Sequence, residues 1–262
     1  MLLMRNIVSS HLVIACSSTN MRGQEKKKYY LLQLQEVEEI KKLNYKPKLL
    51  MHTCCGVCVS YPALYLAEYF DLTLYYNNDN IYPYQEYQRR YDELAKLIET
   101  YNQKYHTNIK IIKTEFDGEN YLKKLEPLAD EPERGKRCKL CYSLRMKQAL
   151  YYALENHFDY FTTVMTISRQ KDSAVLNQIG EQLTKNKNIK YFYSDFKKNG
   201  GLEKGDKLAN ENNLYRQQYC GCYYSYLDYL KRKETQKGVI ENSWGLAKND
   251  GDNFGEDREK RI

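Results

Sequence analysis

The chain has 262 residues and carries 41 Lys and Arg against 34 Asp and Glu, a formal net charge of +7. That length supports a sizeable core without disulfide staples, and no apolar run approaches the roughly 18 residues of a bilayer span, so the sequence excludes a transmembrane helix, and no membrane partner is expected. The mild basic excess suits a polyanion such as nucleic acid but falls short of the concentrated charge of a dedicated binding arm.

In chain order, residues 1–20 hold an apolar stretch interrupted by Ser9, Ser10 and His11, too broken for an export signal. They read as an upstream extension, with Met21 an alternative start, followed by a basic stretch and a helix over about 29–43. Lys48–Thr53 is predicted as a strand, Tyr61–Phe70 as a helix and Leu72–Tyr76 as a second strand. Periodicity gives a helix over Glu86–Gln103, a strand over Ile109–Glu115 and a long helix over Leu140–His157. Strand Tyr160–Met165, helix Ser173–Leu183 and strand Lys190–Tyr193 follow. Residues 197–222 are rich in Gly and Asn without a period, which reads as a long functional loop. A helix over Tyr223–Glu234 closes the pattern, and 235–262 reads as a polar, disordered tail.

Strands alternating with helices imply an α/β fold, a Rossmann-like parallel sheet with helices on both faces, followed by a cysteine-containing C-terminal loop and helix. The organisation expected is an extension and helix over 1–45, a catalytic α/β domain over 46–234 and the tail. Ligands of such sheets sit beyond the carboxyl ends of the strands. Cys54–Cys58 after the first strand and Thr166–Asp172 after the fourth are therefore expected to line one crevice.

Seven of the eight cysteines fall in three groups: Cys54, Cys55 and Cys58; Cys138 and Cys141; Cys220 and Cys222. In a Lys- and Glu-rich chain without an export signal, this grouping points to metal or redox chemistry in a reducing, cytoplasmic setting rather than to a disulfide framework. The first two groups adjoin helix starts, where backbone N–H groups and the basic neighbours Lys136, Arg137 and Lys139 are expected to lower thiol pKa. Together they offer the sulfurs of an iron-sulfur cluster or a zinc site. Local zinc modules space their pairs by roughly 15–20 residues, whereas Cys58 and Cys138 stand 80 positions apart. A disulfide between Cys220 and Cys222, with only Gly221 between, would be strained and easily reduced. Two reduced thiols or further metal ligands are the alternative.

His52 and Asp79 are candidate proton donors, Asp172 a further candidate acid, and Arg89, Arg90, Lys197, Lys198 and Arg216 candidate phosphate contacts. The 27 Tyr against 7 Phe admit two readings, amphipathic core filler or rings that stack on nucleobases.

The strings HTCCGVC at 52–58, RCKLCYSLR at 137–145, FTTVMTISRQKDS at 161–173 and LYRQQYCGCYYS at 214–225 together resemble the cobalamin-independent epoxyqueuosine reductases, the QueH family. YYNNDNIYPYQEYQRR at 75–90 is similar to the family's segment after the second strand. The chain departs from the usual family pattern at Val57, at Asn78–Ile81 and at Arg169. The resemblance implies a nucleotide-hydrolase-like α/β domain that reduces epoxyqueuosine to queuosine at the wobble position of tRNA. It implies a 4Fe-4S cluster on Cys54, Cys55, Cys138 and Cys141, a redox-active pair Cys220 and Cys222, a second metal (iron) to which Cys58 is free to contribute, and an external electron donor. A cluster-dependent tRNA thiolase of related fold is one rival, although Thr53–Gly56 stands where such enzymes carry a Ser-Gly-Gly phosphate loop. A zinc-stabilised RNA-binding module is the other.

Overall fold

The computed structural model describes residues 27–249, with side chains placed to residue 236. Cys16, the expected upstream extension and residues 250–262 lie outside the described residues. Five parallel strands form one sheet in the order β3-β2-β1-β4-β5, where β1 is Lys48–His52, β2 Asp71–Tyr76, β3 Lys110–Lys113, β4 Tyr160–Thr163 and β5 Lys190–Tyr191. Register aligns His52 with Tyr75 of β2 and with Thr163 of β4. The order reverses between β1 and β4, the switch point at which sheets of this class open a crevice.

Alternation along β1 builds two cores. Leu49 and Met51 join the core beneath α1 (Lys28–Ile40), α2 (Gly56–Ala67) and α3 (Tyr84–Tyr105). Leu50 turns to the other face, with Tyr75 and Phe161, beneath α5 (Lys136–Glu155) and α6 (Ser173–Thr184). Helices therefore cover both faces, as the alternation of the sequence predicts. A short helix α4 (Gly118–Leu125) precedes α5, and Tyr121 and Leu125 on it pack with Cys141.

Most strand and helix positions fall within a few residues of those expected, and the differences have physical causes. Helix α2 begins at Gly56 rather than Tyr61, because Gly56–Ser60 has weak helix propensity and is held by packing, with Val59 fully buried. The strand expected to run to Met165 stops at Thr163, whose side-chain oxygen accepts the Met165 N–H and starts a 3-10 turn over Val164–Ile167. Helix α5 starts at Lys136, so both Cys138 and Cys141 lie on it.

The loop expected over 197–222 is a correction: Gly201–Glu211 forms a helix, α7. Gly201 and Gly205 disguise it, and they are what lets it approach α2. Ser60 Oγ donates to the Gly205 carbonyl at 3.2 Å, and a Cβ on Gly201 would sit 1.8 Å from the Phe196 carbonyl oxygen. The last helix, α8, runs from Tyr223 past the expected end at Glu234 to Asn249.

Gly201→Ala forces backbone apart at the start of α7, and such overpacking costs about 1–3 kcal/mol. Thermal melts of the pair are expected to show the variant unfolding several degrees lower, with unchanged secondary structure at low temperature.

Candidate active site

The segments that follow β1, β2 and β4, together with Arg145 of α5 and residues from 217 to 232, enclose a cavity of about 380 Å³. The first is the strand-to-helix turn after β1. Thr53 N–H bonds the Tyr75 carbonyl at 2.9 Å, and Asn78 Nδ2 donates to the Thr53 carbonyl at 2.8 Å. These bonds fix the turn that presents Cys54 and Cys55 at the N-terminus of α2. Cys58 lies within the first turn of that helix, and the sulfurs of Cys54, Cys55 and Cys58 all fall within 4.8 Å of one another. Cys54 and Cys58 line the cavity, while Cys55 is buried behind them and accepts a hydrogen bond from Gln217 Nε2 at 3.4 Å.

Sulfurs this close do not ionise independently. Hydrogen bonds from Cys54 and Cys58 hold the Cys55 thiol well below the usual range, with Arg90 adding to the effect. In return, the bond to Cys55 pushes Cys54 up to about 12, and Cys58 rises well above its ordinary value.

The second cysteine group sits on α5. The backbone N–H of Arg134 donates to Cys138 Sγ at 3.2 Å, and Tyr121 Oη donates to the Cys141 carbonyl at 2.9 Å. The helix start and basic neighbours do not lower the Cys138 thiol as expected. Burial raises it, outweighing the Arg134 N–H and the Arg137 charge, which both pull it down.

The third group, Cys220–Gly221–Cys222, forms a tethered loop. Arg90 is 2% exposed, pairs with Glu86 at 2.8 Å and donates to the carbonyls of Cys220 at 3.0 Å and Tyr219 at 3.3 Å. Gly221 adopts φ +128°, and a Cβ there would lie 2.9 Å from Arg90 Nη1, so this position requires glycine twice over. The Gly221 N–H bonds Ser225 Oγ at 3.2 Å and its carbonyl accepts from Tyr82 N–H at 2.7 Å. Both cysteines are free thiols. Cys220 opens onto the large cavity, 3.9 Å from Lys171 Nζ. Cys222 opens onto a second cavity, and burial raises its thiol, with Cys220 contributing.

Two cations not anticipated from the sequence join these groups. Arg145 is 3% exposed and donates to the Cys141 carbonyl, Asn78 Oδ1 and Met165 Sδ, none of them anionic. Burial works against its charge, and Cys141, Cys220 and Cys54, one from each group, act to restore it. Burial likewise opposes the Lys171 ammonium, yet neighbouring Cys220 and Cys54 leave it above its ordinary value. Both residues stand inside the strings 137–145 and 161–173, so their proximity to cysteines was visible, but their burial was not. A buried cation with no carboxylate among its partners, ringed by thiols, is the complement of an anionic thiolate-metal centre. The Cys54, Cys55 and Cys58 sulfurs fit a thiolate-bound metal; Cys138 and Cys141 do not join that triad.

Other expected site residues fall elsewhere. His52 is fully buried, with Nδ1 2.9 Å from Thr163 Oγ1; burial, then Arg145 and Lys171, hold its pKa well below the ordinary value. It is a neutral strand-end residue, absent from the cavity wall. Asp79 lines the second cavity rather than the first, and burial raises its carboxyl. Asp172 caps α6 by accepting the Ala174 N–H. Arg90 is a buried tether and not the rim cation expected. Arg89 stacks at 3.5 Å over the Tyr215 ring, and Arg216 pairs with Asp206 at 3.1 Å. Lys197 donates to the Lys171 carbonyl at 3.1 Å, and Lys198 is half-buried beside it. Among the described residues, no helix is long and apolar enough to cross a membrane.

Comparison with known proteins bears on this constellation directly. Residues 49–228, spanning all three cysteine groups, match the family model described as "Epoxyqueuosine reductase QueH". A protein of that name from Streptococcus pyogenes serotype M1 is 34% identical over 206 residues, 79% of this chain and 81% of its own length. One from Staphylococcus epidermidis is 36% identical over 182 residues, 69% and 76% of the two chains. A more distant one from Thermotoga maritima is 26% identical over 183 residues and 91% of its length. With its cysteine groups inside the matched region and its relatives covered over most of their length, the chain belongs to the QueH family of epoxyqueuosine reductases.

Proposed function

We propose that the chain reduces epoxyqueuosine to queuosine at the wobble position of tRNA, in the cytoplasm, drawing electrons from an external donor. The observation that carries this reading is the opening of Cys54, Cys58 and Cys220, with the cations Arg145 and Lys171, onto a single cavity at the switch point of the sheet. Cys54, Cys55, Cys138 and Cys141 would hold a 4Fe-4S cluster, and Cys58 would contribute to an adjacent iron. When bound, the cluster supplies one-electron transfer and the adjacent iron a Lewis acid.

The protein's own side chains account for the rest. Removing the epoxide oxygen as water takes two electrons and two protons and leaves a carbon-carbon double bond. Bases in the unpaired anticodon loop can be splayed into a cavity without breaking a duplex. Arg145 and Lys171 would face the oxygen as it gains charge; the Lys171 ammonium would give it one proton and the Cys220 and Cys222 dithiol, which loses two protons on becoming a disulfide, would give the second and return the other to Lys171. The Cys220 and Cys222 dithiol supplies the electron pair, becoming a disulfide that the external donor reduces again. Gly221 and the Arg90 tether hold Cys220 at the cavity wall during this cycle.

The direct test is single-turnover incubation of anaerobically reconstituted protein with epoxyqueuosine-containing tRNA and dithionite, read by nucleoside mass spectrometry. The nucleoside is expected to lose one oxygen atom with wild type and to stay unchanged with Cys138→Ala and Cys222→Ala. An unchanged nucleoside in fully loaded wild type overturns the reading.

Iron analysis separates the metal assignments: Cys54→Ser and Cys138→Ser are expected to lose cluster iron and visible absorbance, whereas Cys58→Ser keeps the cluster and loses only the additional iron. The loop tether is tested by Arg90→Met combined with Glu86→Gln, which avoids leaving a lone buried carboxylate. Misplacing Cys220 by about 1 Å is expected to lower kcat by up to about a hundredfold, with iron content unchanged.

A further inference from the structure

A second cavity, of about 200 Å³, lies on the other side of the cysteine loop, where Cys222 of the dithiol forms part of its wall. Asn80 and Ile81 line both cavities and form a common wall, and the loop shows Cys220 to one and Cys222 to the other. The two spaces differ in chemistry. The larger is lined by charged and amide side chains, whereas the smaller is walled by rings, among them Tyr82, Tyr84, Phe116, Tyr121, Tyr223 and Tyr224. Its polar side chains include the carboxylates Asp79 and Glu119.

Size and composition limit the occupant. Pockets that enclose a whole small molecule run to about 300–1,000 Å³, so this one takes a single ring system. Aromatic walls offer faces for stacking, and carboxylates at the wall offer acceptors for N–H groups on the ring edge. The mouth is itself aromatic: Tyr82 is 42% and Tyr84 51% exposed. Tyr84 stands edge-on to Phe116, with ring centroids 5.3 Å apart, and stacks on Tyr87 at 5.8 Å. Lys123 and Lys124, on the same helix as Glu119 and Leu122, are exposed and set positive charge beside the opening. Rings with adjacent cations are the features by which single-stranded nucleic acid is held without a duplex.

On the reading that a loop nucleotide enters the cysteine cavity, its neighbour along the same backbone is carried toward the common wall. We propose that the aromatic cavity receives the unpaired nucleobase adjacent to the one being modified, its ring stacked among Tyr84, Phe116 and Tyr223 and its N–H edge turned to Asp79. The chain thus reads two consecutive bases, one for chemistry and one for register. This inference rests on the tRNA reading above and adds to it a site for the flanking base.

Binding tests it without turnover. Anaerobically prepared holoprotein is titrated with an RNA hairpin carrying guanosine at the target position of an unpaired loop and 2-aminopurine immediately 5′ or 3′ of it. Anisotropy reports binding and 2-aminopurine emission reports stacking. For one of the two positions, emission is expected to fall on binding. Tyr84→Ala, and independently Leu122→Trp, which fills the cavity while keeping its walls, are expected to restore emission and weaken binding roughly tenfold. An abasic residue at that flank should weaken wild type by a similar factor and Tyr84→Ala no further, because the two changes remove the same contact. Emission that stays high at both flanks, or penalties that simply add, overturns the inference. A hairpin whose anisotropy never rises overturns the tRNA reading instead.

Discussion

The carboxyl end of the sheet is organised around one buried guanidinium. Placing a charge inside a protein costs several kcal/mol unless an opposite charge answers it, and the partners of Arg145 are a carbonyl, an amide oxygen and a thioether. Cys141, Tyr121, Cys220 and Cys54 all favour its charge. Arg145 therefore lies within reach of all three cysteine groups, although those groups are separated by long stretches of chain. Asn77 extends the arrangement into the sheet, since its Nδ2 holds the Arg145 carbonyl at 2.9 Å.

A second arginine does mechanical work of a different kind. Arg90 is neutralised by Glu86 one helical turn away, so its remaining donors are free to grip the backbone of 219–220. Helix α3 thereby fixes a loop that approaches it from more than a hundred residues later in the chain. Tyr215 adds a further link, its hydroxyl bonding Glu86 at 3.0 Å. Helix α7 serves the same loop from the other side, because its seat on α2 sets where residue 212 begins the return toward the cavity. Site and scaffold are thus one network, built at the switch point that the strand order creates.

The sheet was legible because β1, β2 and β4 are apolar runs buried on both faces, and because cysteines follow β1 where ligands of such sheets gather. Motif spacing identified the cysteines but not the cations between them. Arg145 looks, in RCKLCYSLR, like any solvated helix charge, and only the packing of α5 against β1 shows that it is buried. Arg90 was misjudged for the same reason: charge in a string carries no sign of depth. Helix α7 is hidden in the sequence because Gly201, Gly205 and Asn210 lower helix propensity, while close contact with α2, which no local pattern encodes, stabilises it. Asp79 lies at the end of the sheet its position in the sequence implies, but the wall formed by Asn80 and Ile81, which a linear reading cannot supply, separates it from Cys54, Cys58 and Cys220.

The abundance of tyrosine also takes on a meaning. Where Phe or Leu could fill an interior, this protein places hydroxyls inside, and four of the buried ones find backbone acceptors, whereas that of Tyr191 has none. Tyr76 reaches the Tyr87 carbonyl, Tyr87 that of Thr114, Tyr101 that of Ser60 and Tyr121 that of Cys141. Such an interior is directional as well as close-packed. A Leu in a core can turn and resettle, whereas a tyrosine bonded at its tip fixes distance and angle between two elements at once. A change at any of these carbonyl-bonded positions alters the spacing of the elements it joins, and through Tyr121 it reaches the backbone of Cys141 itself.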